Sequence, residues 1–263
     1  MSTATVHPAT IDLTKTPRTP FARLVRVELR KSYDTRSGRW LLAAMGLLTI
    51  AVYVVMLLVA DSDLGYGQFV NAAASGTAVL LPILGILLVT SEWSQRTAMT
   101  SFILEPNRLR VLLAKLVTGL LLTVAVTAFA LAAGALATLA NDALGGTVSW
   151  DFGPNYVAGL IVTQSLAMLG GFALATLLLN SPAAIVVFFL YKWLVPAVLS
   201  TIAATVDGFA NILPWIDFQS AQAPLVDLSL HGEDWAHLAV TCTVWLVLPF
   251  ALGLWRVLRA EVK

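Results

Sequence analysis

The sequence predicts an all-α integral membrane protein with six transmembrane helices. Its composition points to this class first: 58% of the 263 residues are apolar and 12% are charged, whereas a water-soluble domain is about a quarter charged. Six apolar runs each exceed the roughly 18 residues that mark a transmembrane helix, since a ~30 Å hydrocarbon core needs about 20 residues. The third run is over-long, which predicts tilt or extension beyond the bilayer. The predicted spans are 40–60, 72–90, 111–139, 157–179, 183–206 and 236–255.

The distribution of Lys and Arg predicts the topology. Fourteen of the 16 basic residues lie before the first span, between the second and third, or after the sixth, and Lys115, at the start of the third, is counted with the connection that precedes it. The connections on the other side hold Asp and Glu but no Lys or Arg. The positive-inside rule makes the basic side cytoplasmic. We therefore expect a multi-pass protein of a bacterial plasma membrane with both termini in the cytoplasm.

Two segments precede the first span. Residues 1–20 lack the apolar core of a signal peptide, so they are predicted to be a flexible cytoplasmic tail. Residues 21–39 place apolar side chains at helical spacing between arginines, a pattern typical of an amphipathic helix at the membrane interface. A solvated charge run that only sets orientation is the alternative. Ser37-Gly38 is predicted to break this helix before the first span.

The connection between spans five and six, Asp207–Trp235, is unusually apolar for an external loop. One or two short helices that re-enter the outer leaflet would explain this composition, with Pro214 and Pro224 as breaks. Irregular backbone at that depth requires protein or water to satisfy it. The alternative is a small extracellular cap that rests on the helix bundle.

The residues needed for catalysis are missing from the predicted spans. No Asp, Glu or His lies well inside them, and the sequence contains no H-E-x-x-H, no Cys/His cluster and no P-loop. We therefore expect no enzyme activity, no metal site and no ATP site in this chain. Nothing in the sequence suggests a nucleic-acid partner.

Lys192 is predicted to be the only cation enclosed by a span. Because a charge at that depth is costly, Lys192 should face the bundle interior or a wet cavity. It could contact an anionic group of a transported molecule, or fix packing through backbone carbonyls or a Tyr of another protomer. Residues that could share a translocation path or dimer interface with it are Tyr191, Gln164, Ser165 and Asn71. The alternative role for such polar residues is interhelical hydrogen bonding.

The connection between spans two and three can form a short amphipathic helix. Met99, Phe102 and Ile103 have the i, i+3, i+4 spacing of one helix face. An apolar stripe on a cytoplasmic loop faces either the membrane or a groove in a partner protein.

At these residues the chain resembles the membrane-spanning permease subunit of an ABC-2 type ATP-binding-cassette transporter. The resembling pattern is E-x3-R-T-x8-P-x-R-x6-K, supported by the stretch from Glu28 to Trp40, the six spans and the apolar outer connection. Arg96 departs from it, because the family often has Gly before the Thr. The pattern comprises Glu92, Arg96, Thr97, Pro106, Arg108 and Lys115.

The resemblance implies a permease that pairs with a second copy, or a related permease, and with two separate ATPase subunits. Residues 21–39 would then be the connecting helix. The loop with Glu92, Arg96, Thr97, Met99, Phe102, Ile103, Pro106 and Arg108 would contain the coupling helix. ATP and Mg would be bound by the ATPase, with no cofactor in this chain.

The expected function is ATP-driven export of a hydrophobic or amphipathic compound, since the spans are nearly charge-free. A non-pumping channel or regulatory scaffold is the alternative, and an intramembrane enzyme is a further one.

Overall fold

The computed structural model describes residues 19–59, 64–95, 105 and 107–259, and over these residues it is all-helical. Six of the described helices are long and apolar enough to cross a membrane, which confirms the predicted multi-pass membrane fold. The helices are α1 Phe21–Asp34, α2 Arg36–Val59, α3 Tyr66–Ser94, α4 Arg108–Ala143, α5 Pro154–Leu178, α6 Ser181–Thr205, α7 Leu213–Ile216, α8 Phe218–Gln222 and α9 Asp234–Arg259. All except α1, α7 and α8 are spans.

The spans alternate in direction, so their connections collect at two ends of the bundle. We call the end that carries α1, the end of α3, the start of α4 and the end of α9 the basic end. Hydrogen bonds tie this end together, for example from Ser181 Oγ to Thr90 Oγ1 (2.7 Å) and from Arg256 to the carbonyl of Leu177 (2.6 Å). The 207–235 connection lies at the opposite end.

The corner between α1 and α2 lies at Thr35 rather than at the predicted Ser37-Gly38. Thr35 has an extended backbone (ψ 145°), and α2 already includes both predicted breakers. Gly38 instead permits the corner, because a Cβ there would overlap the carbonyl of Ser32. The two helices therefore pack too closely at this corner for any side chain at position 38.

Helices α3 and α5 form the centre of the bundle and pack backbone against backbone. A Cβ on Gly171 of α5 would overlap the carbonyl of Pro82 in α3, and one on Gly85 would lie 2.5 Å from the carbonyl of Met168. Close approach at glycine is a common way for helices to associate in lipid. The other spans surround this pair, and α6 is the least buried of all.

The 207–235 connection contains α7 and α8, flanked by 3₁₀ turns at Phe209–Asn211 and Ala223–Leu225. Pro214 and Pro224 start helical turns rather than break them, because a proline in the first turn loses no hydrogen bond. Asp217 caps α8 by accepting hydrogen bonds from the backbone N–H of Ser220 (3.0 Å) and of Gln219 (3.3 Å).

The glycine contact between α3 and α5 can be tested with two adjacent substitutions. Gly171→Ala should lower the unfolding free energy by about 1–3 kcal/mol, the usual cost of overpacking. Gly170→Ala is the matched control, since its Cβ would meet only side-chain atoms at 3.7 and 3.9 Å. It should be neutral or stabilising. Equal effects in an SDS-denaturation titration would contradict the close contact.

Candidate functional site

Four charged side chains form an ion cluster at the basic end. Lys115 of α4 lies 2.6 Å from Glu28 of α1 and 3.1 Å from Glu92 of α3. Lys31 of α1 lies 2.8 Å from Glu28 and 2.9 Å from Glu92. Two ammonium groups and two carboxylates thus alternate, and the cluster joins three helices with no net charge.

The ion cluster is mostly buried. The side chains of Glu28, Glu92 and Lys115 are 6–9% exposed, whereas that of Lys31 is 43% exposed. Burial lowers the pKa of Lys31, but hydrogen bonds to Glu28 and Glu92 and their charges outweigh it. The pKa of Lys31 therefore lies above its ordinary value, and Lys31 is charged at neutral pH.

The prediction that Lys192 is the only cation enclosed by a span is wrong, because Lys115 is enclosed as well. It lies near the start of the α4 span and is 5% exposed. Its charge is tolerated because two carboxylates compensate it at hydrogen-bonding distance. Among the described residues, no Asp or Glu lies within 4.0 Å of the Lys192 ammonium.

The ion cluster includes Glu92 of α3 and Lys115 of α4, the helices that precede and follow the predicted coupling helix in the sequence. The α4 side of the α3–α4 connection is anchored too, because Arg110 donates to the carbonyl of Thr19 (2.6 Å) and lies 3.3 Å from Glu105. Arg108 donates to the carbonyl of Val257 in α9 (2.8 Å). The predicted coupling residues Arg96, Thr97, Met99, Phe102, Ile103 and Pro106 lie outside the described residues.

A second group of predicted residues lies deeper in the bundle, around a cavity of about 460 Å³. We call it the Lys192 cavity; its walls come from α3, α5, α6 and the 207–235 connection. Four predicted residues line it, namely Asn71, Gln164, Tyr191 and Lys192. Ser165 does not, and its hydroxyl donates to the carbonyl of Ile161 (2.7 Å). Lys192 thus faces a cavity within one copy of the chain; a role in translocation or at a dimer interface stays a prediction.

The backbone is irregular where Lys192 lies. Residues Leu190–Leu194 of α6 form a π-helical turn, and Thr243–Val247 of α9 form another. The rings of Tyr191 and Trp245 join the two turns, with centroids 4.5 Å apart. Such π turns occur frequently at functional sites.

A proline follows each π turn and removes one helical hydrogen bond. Pro196 cannot donate to the carbonyl of Lys192, four residues earlier. That carbonyl instead accepts from the side-chain amide of Gln219 in α8 (2.5 Å). Trp245, four residues before Pro249, donates its indole N–H to the carbonyl of Ile216 (2.9 Å). The 207–235 connection therefore binds to both π turns, midway along their spans.

Other polar residues of the cavity form interhelical hydrogen bonds. The buried amide of Gln164 donates to Thr77 Oγ1 (2.6 Å) and to the carbonyl of Ala74 (3.1 Å). Asn71 accepts from Tyr156 (3.0 Å). These contacts fix α3 against α5 and define one wall of the cavity.

Sequence patterns predicted neither the ion cluster nor the role of Gln219. Glu28, Glu92 and Lys115 fall in the stretches that carry the resemblance, but no pattern indicated that α1 pairs with Glu92 and Lys115, which are distant from it in sequence. A usable signal existed for the π turns: Trp193-Leu194-Val195-Pro196 and Trp245-Leu246-Val247-Leu248-Pro249 place a similar apolar run before a proline. A proline inside a span exposes the carbonyl four residues earlier and demands a donor for it.

The ion cluster should contribute strongly to stability. Lys115→Met leaves two buried carboxylates with only Lys31, and breaking such a cluster costs about 3–5 kcal/mol. Adding Glu92→Gln restores neutrality and should recover part of the loss. The control is Asp34→Asn, which removes the exposed Arg30–Asp34 pair and should cost less than about 1 kcal/mol. Equal unfolding free energies for Lys115→Met and Asp34→Asn would contradict this role.

Comparison with known proteins adds no family to this description. A scan against protein-family models gave no match, and a search of curated proteins found no matching relative. The functional conclusion therefore depends on the residues and their geometry. Two features matter, the ion cluster and the Lys192 cavity, and they lie at different depths in the bundle.

Proposed function

We propose that this chain is the permease subunit of an ATP-driven ABC-2 type transporter and that it exports a hydrophobic or amphipathic compound. The observation that carries the proposal is the ion cluster. It links α1 to the end of α3 and the start of α4, which flank the predicted coupling helix. The sequence resemblance gives that helix its partner, an ATPase subunit.

The ion cluster can transmit a movement of the predicted coupling helix to the helices that it joins. A partner that moves the 96–104 segment pulls on the end of α3, which carries Glu92, and on the start of α4, which carries Lys115. Lys115 binds Glu28 and Glu92 binds Lys31, and both partners belong to α1, so α1 must follow. A buried, charge-balanced cluster resists separation, because parting its members would leave uncompensated charges away from water. Movement of the loop is thereby shared among three helices.

In this proposal α1 is the connecting helix at the cytoplasmic interface. Its exposed apolar residues include Phe21 and Val27, next to exposed arginines, as expected for contact with acyl chains and headgroups. Both termini are cytoplasmic, and the membrane is the bacterial plasma membrane. The basic end is then the cytoplasmic end.

The 207–235 connection is re-entrant in this proposal. Supporting this, Gln219 binds the carbonyl of Lys192, the twelfth residue of a 25-residue span. Trp245, near the middle of α9, binds the carbonyl of Ile216. A cap resting on the surface would not reach backbone at that depth. The segment thus lies in the outer leaflet, with its polar groups satisfied by protein.

The complete transporter contains two permeases, either two copies of this chain or this chain with a related one, and two ATPase subunits. ATP and Mg bind in the ATPase, and lipid surrounds the spans. Closure of the ATPase pair on ATP switches the permeases between inward- and outward-open states.

Site-specific photo-crosslinking tests the predicted ATPase partner. A photoreactive amino acid at Phe102 should capture a P-loop ATPase, identified by mass spectrometry, and the purified complex should hydrolyse ATP. The matched control is the same amino acid at Leu58, which is 79% exposed and near the opposite end of α2. It should crosslink to lipid and not to the ATPase.

Two outcomes would overturn the proposal. One is a chain that is stable and functional in membranes without an ATP-hydrolysing partner. The other is the same crosslinking pattern at Phe102 and Leu58. Ion flux through the chain that persists without ATP would favour the channel alternative instead.

A further inference from the structure

The Lys192 cavity has the features of a binding site for a particular class of molecule. We propose that it binds an amphipathic organic anion, whose acidic group pairs with the Lys192 ammonium and whose apolar body lies along the cavity walls. The use of this site for cargo rests on the proposed function; the binding itself does not.

The first argument is the missing counter-charge. No Asp or Glu lines the Lys192 cavity, and Lys192 makes no ion pair within 4.0 Å among the described residues. Lys115, by contrast, has two carboxylates. A half-buried ammonium at mid-span is costly unless an anion compensates it. Where the chain supplies none, a bound molecule can.

The second argument concerns the hydrogen-bond donors in the cavity. The side-chain amides of Gln164, Gln219 and Gln222 all donate to protein acceptors. The hydroxyls of Ser75 and Thr163 donate to carbonyls of their own helices. Among the described residues the hydroxyl of Tyr191 also lacks a hydrogen-bond partner, but it is buried and uncharged. The Lys192 ammonium is the charged donor that remains to bind a ligand, and a charged donor favours a charged acceptor.

The third argument is the character of the walls. One side of the cavity is formed by small residues of α3 and α5, including Ala74, Ala78 and Ala167, and another by the rings of Phe188 and Phe218. Its volume of about 460 Å³ falls in the range of ligand pockets that are mostly apolar with a few polar groups. An ion without an apolar body would leave these walls uncovered.

Together these features select against other ligands. A cation would meet Lys192 with no acid to offset the repulsion. A neutral apolar molecule would cover the walls but leave the ammonium uncompensated. An anion with an apolar body satisfies both requirements at one place.

A displacement assay on the full chain tests this binding without the ATPase. The chain is reconstituted in phosphatidylcholine nanodiscs, and fluorescent dansylaminoundecanoate is displaced by decanesulfonate, decanol or decyltrimethylammonium. These competitors share a ten-carbon chain and differ in head-group charge. Decanesulfonate should compete at least about tenfold better than the other two, as expected for a charge-assisted hydrogen bond. Equal competition by all three would overturn the proposal.

Three variants locate the site. Lys192→Met should abolish the preference for decanesulfonate, and Lys192→Arg should keep it. Ser165→Ala is the control on α5, since Ser165 does not line the cavity, and it should bind as the unmodified chain does. If Lys192→Met fails to fold, the head-group preference of the unmodified chain and of Lys192→Arg still decides. Retained preference in folded Lys192→Met would overturn the proposal.

One further arm separates a free amphipathic anion from a lipid headgroup, which has the same chemistry. Phosphatidylglycerol is added to the nanodiscs at increasing fractions. Lys192-dependent loss of probe binding would support a lipid as the bound anion, and unchanged binding would support a free one. If none of these assays shows Lys192-dependent binding of an anion but the chain still forms a functional complex with the ATPase, this inference is wrong and the proposed function stands.

Discussion

Compensation of positive charge inside an apolar protein is the constraint on which this structure depends. Lys115 and Lys192 are both enclosed by spans, but the side chains around them differ in charge. Lys115 is paired with Glu28 and Glu92, so its charge is neutralised and holds three helices together. Lys192 has a cavity and no acid. An ammonium that is compensated within the chain stabilises the fold, whereas one that is not is available to an anion from outside.

The backbone carbonyls of the spans obey the same requirement. Pro196 removes a hydrogen bond from the carbonyl of Lys192, and lipid offers no replacement. Gln219 supplies it from a helix of only five residues, which Asp217 holds in place as its N-cap. The short helices at the opposite end thus cover α6 and also supply a hydrogen-bond donor that its backbone lacks. This explains why so apolar a connection carries glutamines directed at the bundle.

Six spans could be predicted because each is a local property of composition that a lipid core selects strongly. The helix ends and contacts could not, since they depend on partners distant in sequence. Gly38 looks like a helix breaker, yet it permits close packing at a corner that lies at Thr35. Pro214 likewise starts a helix. For the cavity, polarity in the middle of a span correctly indicated Lys192 and Gln164. The same reasoning failed for Ser165, which does not line the cavity because its side chain leaves α5 in another direction and donates to a carbonyl of its own helix.

The two charged features lie at different depths, and α3 connects them. Glu92 near one end of α3 belongs to the ion cluster, while Ala74 and Thr77 in its other half accept hydrogen bonds from Gln164 at the cavity. Between these points α3 packs against α5 at Gly85 and Gly171 without intervening side chains, so the two helices have little room to slide past each other. The facing wall belongs to α6, which is bound to α3 through Ser181 and Thr90, to α8 through Gln219 and to α9 through the rings of Tyr191 and Trp245. If the proposed ATPase partner displaces Glu92, we expect α3 and α5 to move together relative to Lys192 and the dimensions of the cavity to change.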